Sequence, residues 1–198
     1  MPRKIDSREY RAAAAIEAGD NAEQYRIAGY ATTFDTPYLI ATIDGVDYFE
    51  VVDRHALDEA DMSDVILQFD HEGRVFARVS NGTLTVEPDD HGLRVEGDLS
   101  RSAGGRDLYA DIRAGLITKM SWGFIVAEDA YDRQTRTRTI KKIKKVFDVS
   151  AVSIPANDDT DISARSYCDG VIKAGRTERF EMRAKALLLK IKIEKEGI

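Results

Sequence analysis

This chain has little of what secreted, membrane-spanning and metal-binding proteins use most. Among its 198 residues is a single cysteine, Cys168, which excludes an internal disulfide and disfavours a thiolate-rich metal site. No apolar run approaches the ~18 residues that cross a bilayer, and the first residues lack the apolar core of a secretory signal. Internal repeats and low-complexity segments are also absent. These absences favour a globular domain in a reducing, cytoplasmic setting.

Net positive charge is absent too. The formal net charge of −6 argues against nucleic acid as the principal partner, because binding phosphates requires a basic face. The local exception is the stretch 133–145, which is rich in arginine and lysine. We interpret this stretch as a solvated β-hairpin, with a basic patch that docks an acidic protein scaffold as the alternative.

Histidine is scarce, with three in the chain: His55, His71 and His91. They show no HxH or HExxH spacing, so we expect no metal site.

Short β-branched and aromatic runs bounded by turn residues predict strands through most of the chain. The predicted strands are 25–34, 47–52, 65–69, 75–79, 83–87, 92–99, 117–126 and 146–154. Helices are predicted at 53–60 and 100–114, and Asn81-Gly82 predicts a hairpin turn. So many short strands are best protected in a closed barrel. We therefore expect an α+β fold, with a mainly antiparallel β-barrel core flanked by helices.

Three regions follow from the pattern. Residues 1–23 predict a short helix or a loose arm, and residues 24–162 the central domain. Residues 163–198 predict a hinge over 163–176 and then an amphipathic helix over 177–198, in which Phe180 and Leu187 recur at helical spacing. That helix either packs on the barrel or is a partner-binding or processed tail.

Two segments combine a strand-like apolar run with a chemically capable side chain. Residues 65–69 lead to Asp70 and His71, and a second predicted strand carries Ser121. Histidine can accept the proton of a serine hydroxyl and so convert it into a nucleophile. We predict Ser121 as the nucleophile and His71 as the general base and acid of an acyl-transfer site.

Asp148 is the natural third member, because a carboxylate that accepts the other imidazole N–H fixes the tautomer. Gly123 would leave room for substrate main chain or for an oxyanion-binding amide. Spacing alone leaves structural roles open: Ser121 as a half-buried hydroxyl, His71 as a surface turn residue, and Asp148 paired with Lys145 or Arg138. His55 and His91 are poorer candidates for the base.

The order of the segments resembles that of the tailed-phage prohead (capsid-maturation) serine proteases, which are related in fold to the herpesvirus assemblins. The resemblance rests on Ile27-Ala28-Gly29-Tyr30-Ala31, Phe34-Asp35, Phe69-Asp70-His71, the segment 90–97, Ala114-Gly115-Leu116, Met120-Ser121-Trp122-Gly123-Phe124, Phe147-Asp148-Val149-Ser150 and Pro155-Ala156-Asn157, in this order. It implies that the family's histidine is His71 and that its serine is Ser121. The family's acidic residue falls on Asp148, where glutamate is more common. Trp122 stands where a small aliphatic residue is usual, and it either narrows the substrate cleft or points into the core.

The resemblance implies an assemblin-like serine endopeptidase that needs no cofactor. It would cleave scaffold or capsid-protein precursor segments, and itself, during prohead maturation, inside the assembling prohead in the host cytoplasm. Its partners would be the capsid precursor and scaffold, with self-association left open and no membrane partner. A prophage or gene-transfer particle would use the same mechanism. The alternative is a non-catalytic capsid-assembly or scaffold-binding module with the same fold.

Overall fold

The computed structural model describes residues 8–19, 24–153 and 158–196. These residues form strands and two α-helices, which confirms the α+β class. The strands are β1 Glu9–Ala18, β2 Arg26–Thr33, β3 Tyr38–Ile43, β4 Val46–Val52, β5 Ile66–Phe69, β6 Glu72–Arg78, β7 Leu84–Pro88, β8 Gly92–Asp98, β9 Lys119–Asp132 and β10 Thr137–Val152. The helices are α1 Ala103–Arg113 and α2 Asp158–Glu196, and a short 3₁₀ turn spans Val79–Asn81.

One sheet contains all ten of these described strands, and it curls into a half-barrel. Its main path runs β3-β4-β10-β9-β1-β2-β8-β7, and β5 and β6 join it through β10. Most neighbours are antiparallel, but β10 pairs in parallel with β4 near its start and with β5 near its end. The end of β10 therefore lies between β5 on one side and β9 on the other, and the candidate site is built at this point.

Apolar side chains fill the inside of the sheet. Trp122 and Phe124 on β9 are fully buried, and their rings stack with centroids 4.0 Å apart. Helix α1 contributes Leu108 and Ile112, which lie on one face because they are four residues apart. The Ser102 hydroxyl caps that helix by accepting a hydrogen bond from the Gly105 amide at 3.0 Å. Trp122 thus packs in the core and does not narrow a cleft.

The N-terminal half of the chain differs from its prediction in several places. In the expected arm 1–23, the described residues form strand β1, which pairs with β9 and β2 inside the sheet. The helix expected over 53–60 is a series of turns. Strand β3 was not predicted, although it pairs with β4. The Asn81-Gly82 hairpin is also wrong: among the described residues, β6 pairs with β5 and β7 pairs with β8.

The C-terminal region has no hinge among its described residues. Helix α2 runs without a break from Asp158, so the expected hinge at 163–176 is helical. Near its start it packs on β3 and β4, where Cys168 is buried against Ala41 and Tyr48. Farther along, large apolar side chains are 59–74% exposed: Phe180, Met182, Leu187, Leu188 and Leu189. No described helix has the length and apolar character to span a membrane.

The basic stretch 133–145 lies in the β9–β10 hairpin, as the first interpretation expected. Several of its cations are paired within the chain: Lys145 with Asp61 at 2.6 Å, Arg133 with Glu178, and Lys142 with Glu59. Arg138 is fully buried. Internal acidic partners therefore neutralise much of this charge. The Pro155-Ala156-Asn157 segment of the resemblance lies outside the described residues.

Candidate active site

The turn between β5 and β6 presents His71. Phe69 pairs with Glu72, so Asp70 and His71 form a two-residue hairpin loop, with φ of 47° and 60°. Positive φ at both central residues is what a type I′ turn requires, and non-glycine residues adopt it at a cost. The Asp70 carboxylate offsets that cost by accepting hydrogen bonds from the Ser153 amide at 3.0 Å and the Ser153 hydroxyl at 2.8 Å. The turn is thereby fastened to the end of β10.

The β9–β10 ladder supplies the other two predicted residues. Ser121 on β9 pairs with Ser150 on β10, and Gly123 pairs with Asp148. Alternate residues of a strand point to the same side, so these four residues share one face of the sheet. The opposite face carries Met120, Trp122 and Phe124 in the core. Register alone therefore brings Ser121 and Asp148 to the face on which His71 lies.

The three predicted residues form a continuous hydrogen-bonded chain. His71 Nε2 lies 2.7 Å from Ser121 Oγ, and His71 Nδ1 is hydrogen-bonded to Asp148 Oδ2. Ser121 and Asp148 are each 1% exposed, and the His71 side chain is 11% exposed. A carboxylate that accepts from Nδ1–H leaves Nε2 as the acceptor for the serine proton. The arrangement is the one that general-base activation of a serine requires.

Ser150 is a fourth member that sequence reasoning missed. Its hydroxyl accepts a hydrogen bond from the His71 backbone N–H at 3.2 Å and donates one to Asp148 Oδ2 at 3.1 Å. It ties the turn that carries His71 to the carboxylate that His71 contacts. The signal was present, because Asp148 and Ser150 are two residues apart in a predicted strand and so point to the same side.

Gly123 does not leave room for substrate main chain, which is the first of the two uses expected of it. A Cβ at this position would lie 2.4 Å from Asp148 Oδ1 and 2.9 Å from the Tyr10 ring. The Asp148 carboxylate and the Tyr10 ring therefore fill this space and leave no room for substrate. Glycine is needed here so that both can approach the backbone.

The two cations considered as alternative partners of Asp148 bind other carboxylates. Arg138 pairs with Glu9, Glu50 and Asp129, and Lys145 pairs with Asp61, so neither holds Asp148. His55 lies 3.1 Å from Asp58 in an exposed turn. His91 packs edge-on against Tyr30, with centroids 4.6 Å apart. Of the three histidines, His71 is the one hydrogen-bonded to Ser121.

A buried cluster of ion pairs lies on the face of β1 opposite to Tyr10. Arg11 Nε and Nη2 donate to the two oxygens of Glu50 at 2.7 and 3.0 Å, and Arg138 Nη1 donates to Glu50 at 2.8 Å. Tyr38 also donates to Glu50. Burial opposes ionisation of Glu50, but the two guanidinium groups hold its pKa below the usual value. We call Glu9, Arg11, Glu50, Asp129 and Arg138 the ion cluster.

Helix α2 borders this cluster. The Tyr167 ring lies 4.2 Å from the Arg138 guanidinium. Burial raises the pKa of the neighbouring Cys168 thiol to about 11.

Two curated relatives match parts of the chain. The prohead protease of Enterobacteria phage HK97 is 36% identical over 88 residues, which cover 44% of this chain and 39% of the relative. The prohead protease of Escherichia phage T5 is 26% identical over 109 residues, 55% of this chain and 50% of the relative. The matches thus span half or less of those relatives.

No solved structure is significantly similar to this chain. The family model of the caudovirus prohead serine proteases matches residues 12–171, a span that includes His71, Ser121 and Asp148. With most of its length matched, the chain belongs to the caudovirus prohead serine protease family.

Proposed function

We propose that this protein is a serine endopeptidase in which Ser121 is the nucleophile, His71 the general base and acid, and Asp148 the residue that orients His71. The observation that carries the proposal is the position of His71, which is hydrogen-bonded to Ser121 on one side and to Asp148 on the other. Three separate elements converge to build this arrangement, namely the β5–β6 turn, β9 and β10.

The mechanism follows from the geometry. Ser121 Oγ attacks the peptide carbonyl carbon while His71 Nε2 takes its proton, and the resulting imidazolium is stabilised by Asp148. His71 then gives the proton to the leaving amine, and the acyl group remains on Ser121. A water molecule, deprotonated by His71, hydrolyses that ester and restores the free hydroxyl.

The proposed substrates are segments of scaffold or of the capsid-protein precursor, together with the protease itself. Membership of the prohead protease family supports this choice, as do relatives that are named prohead proteases. The protein would act inside the assembling prohead, in the host cytoplasm. We further propose that the half-barrel corresponds to the assemblin-like barrel, which fits its curled, mainly antiparallel sheet.

We propose a two-part organisation: the sheet with α1 and the start of α2 as the protease domain, and the rest of α2 as a docking segment for scaffold or capsid protein. The exposed apolar side chains at 180–189 support this division. Deleting residues 177–198 should abolish packaging into proheads but spare cleavage of a peptide. Unchanged packaging of the truncated protein would contradict the docking role.

The function is tested by intact mass spectrometry of the protein co-expressed with its capsid and scaffold partners. We compare wild type, Ser121→Ala, and Ser80→Ala as a matched control at an exposed serine. Discrete truncations should appear in wild type and Ser80→Ala, and vanish in Ser121→Ala. Identical masses in all three, with assembled shells present, would instead favour the non-catalytic assembly module.

A further inference from the structure

Strand β1 brings an aromatic ring against the histidine. Tyr10 pairs with Gly123, and its ring lies over that glycine. The Tyr10 and His71 ring centroids are 4.4 Å apart, with the planes tilted by 57°. The imidazole therefore contacts a ring on one face while its two nitrogens contact Ser121 and Asp148. Packing of this kind restricts ring rotation that two hydrogen bonds alone would allow.

Arg8 lies beside the other oxygen of Asp148. Oδ2 accepts from His71 and Ser150, but the buried Oδ1 has no hydrogen-bond donor among the described residues. Arg8 Nη1 lies 3.9 Å from Oδ1. The Arg8 guanidinium is itself held 4.0 Å above the Phe147 ring and donates to the Tyr10 hydroxyl at 3.3 Å. A partly exposed cation thus lies near a buried carboxylate oxygen that lacks a hydrogen-bond donor.

The ion cluster sets the register of these two residues. Glu9 and Arg11 of β1 alternate in sequence with Arg8 and Tyr10, point to the opposite face, and bind Arg138 and Glu50. A one-residue slip would exchange the two faces of the strand and place Glu9 or Arg11 against His71. Because that exchange would break the buried ion pairs, the cluster fixes Tyr10 and Arg8 where they are.

We propose that Tyr10 and Arg8 are positioning residues for peptide cleavage: Tyr10 holds the His71 ring with Nε2 towards Ser121, and Arg8 supplies the charge that balances Asp148 Oδ1. This inference rests on the proposed function of the three residues. Both positions precede residue 12, where the match to the family model begins. Family membership therefore does not supply this role.

The test uses the full-length protein with Tyr10→Leu, Tyr10→Phe, Arg8→Ala and Arg8→Lys. Two rates are measured: labelling of Ser121 by a fluorophosphonate, and cleavage of a peptide that spans a site mapped in the co-expression experiment. Thermal unfolding is recorded for every variant. The labelling rate reports activation of the hydroxyl without depending on the full substrate.

Tyr10→Leu should lower kcat and the labelling rate 10- to 100-fold, with KM within about threefold, because misplacing a reacting group has effects of this size. Tyr10→Phe keeps the ring and should keep most of the activity. Arg8→Ala should lower both rates only about fivefold, because the Arg8 charge is partly exposed to solvent. Arg8→Lys keeps the positive charge and should restore most of the loss.

Wild-type rates in Tyr10→Leu and Arg8→Ala, in a protein whose wild type is labelled and cleaves, would overturn this inference but leave the proposed function intact. A fall in Tyr10→Leu that merely parallels a lower melting temperature would also count against it. If Tyr10→Leu fails to fold, the comparison of Arg8→Ala with Arg8→Lys decides. An unlabelled wild type would instead refute the proposed function.

Discussion

The two faces of strand β1 contact buried polar groups of different kinds. On one face Glu9 and Arg11 join the ion cluster, in which both Glu50 oxygens are bonded. On the other face the Asp148 carboxylate is just as buried, yet one of its oxygens has no donor among the described residues. In the ion cluster both carboxylate oxygens of Glu50 are paired with cations. The hydrogen-bonded chain from Asp148 through His71 instead ends at the Ser121 hydroxyl.

The comparison teaches how burial can serve two purposes within one sheet. Buried charges that are fully paired specify register and are costly to break singly. A buried carboxylate hydrogen-bonded to a histidine stabilises the positive charge that the histidine gains in the reaction. Substitutions in the two clusters should therefore affect different measurements.

The largest expected effect is that of Asp148→Asn on catalysis. The substitution keeps the shape of the side chain but removes the charge that orients His71, so kcat should fall roughly 10⁴-fold. The melting temperature should stay near that of wild type. Peptide cleavage and differential scanning calorimetry measure the two effects, and activity within tenfold of wild type would remove Asp148 from the mechanism.

Glu50→Ala should instead lower the stability of the folded protein. It leaves Arg11 and Arg138 buried without their shared carboxylate, which should destabilise the protein by about 3–5 kcal/mol. Urea unfolding measures this loss, with Glu59→Ala as a control because that glutamate forms an exposed ion pair. A loss below about 1 kcal/mol, the range of exposed pairs, would contradict the structural role of the ion cluster.

The pH dependence of the same region has a definite sign. The pKa of Glu50 is lower in the folded protein than its unfolded pKa of about 4.5. Its charge therefore stabilises the fold fully above the unfolded pKa, and this contribution is lost as the pH falls through the folded pKa. The stability difference between wild type and Glu50→Gln should therefore shrink below about pH 4.5. A difference that grows with acid would contradict the assignment.

Gly123→Ala tests the close contact of Gly123 on β9 with Asp148 on β10 and Tyr10 on β1. The new Cβ would lie 2.4 Å from Asp148 Oδ1 and 2.9 Å from the Tyr10 ring, so both must move. We expect a destabilisation of about 1–3 kcal/mol, typical of overpacking, together with a loss of cleavage. Gly170→Ala is the matched control, because it lies in helix α2 and its Cβ would contact nothing within 4 Å. Full activity in Gly123→Ala would show that the site tolerates displacement of Asp148.

The smallest effect concerns Cys168, beside the ion cluster. Burial raises the pKa of its thiol to about 11, so little thiolate exists at pH 8 and access is restricted. Iodoacetamide should label the native protein far more slowly than the urea-unfolded protein at that pH. Equal rates would indicate that the start of α2 does not stay packed on the sheet.

Most residues of the candidate site could be predicted from the sequence, but the strand that supports them could not. Ser121, His71 and Asp148 stand in apolar runs whose ends and alternation are visible in one dimension. At Gly123 the sequence indicates space beside the backbone, but what fills that space depends on where β1, β9 and β10 meet.

Strand β1 was unpredictable because its alanine-rich segment has low strand propensity, and its charged residues pair with Glu50 and Arg138, far away in the chain. Tertiary ion pairs and pairing with β9 override local preference there. The exposed part of α2 was predicted as helix from spacing, but spacing does not say whether its apolar side chains are covered.

The most direct test of the central claim is whether His71 activates Ser121. Wild type, His71→Ala and His55→Ala are incubated with a fluorophosphonate, and the labelled peptide is identified by mass spectrometry. The account predicts one adduct on Ser121 in wild type and His55→Ala, with labelling largely lost in His71→Ala. Equal labelling of Ser121 in His71→Ala, or none in any of the three folded proteins, would contradict it.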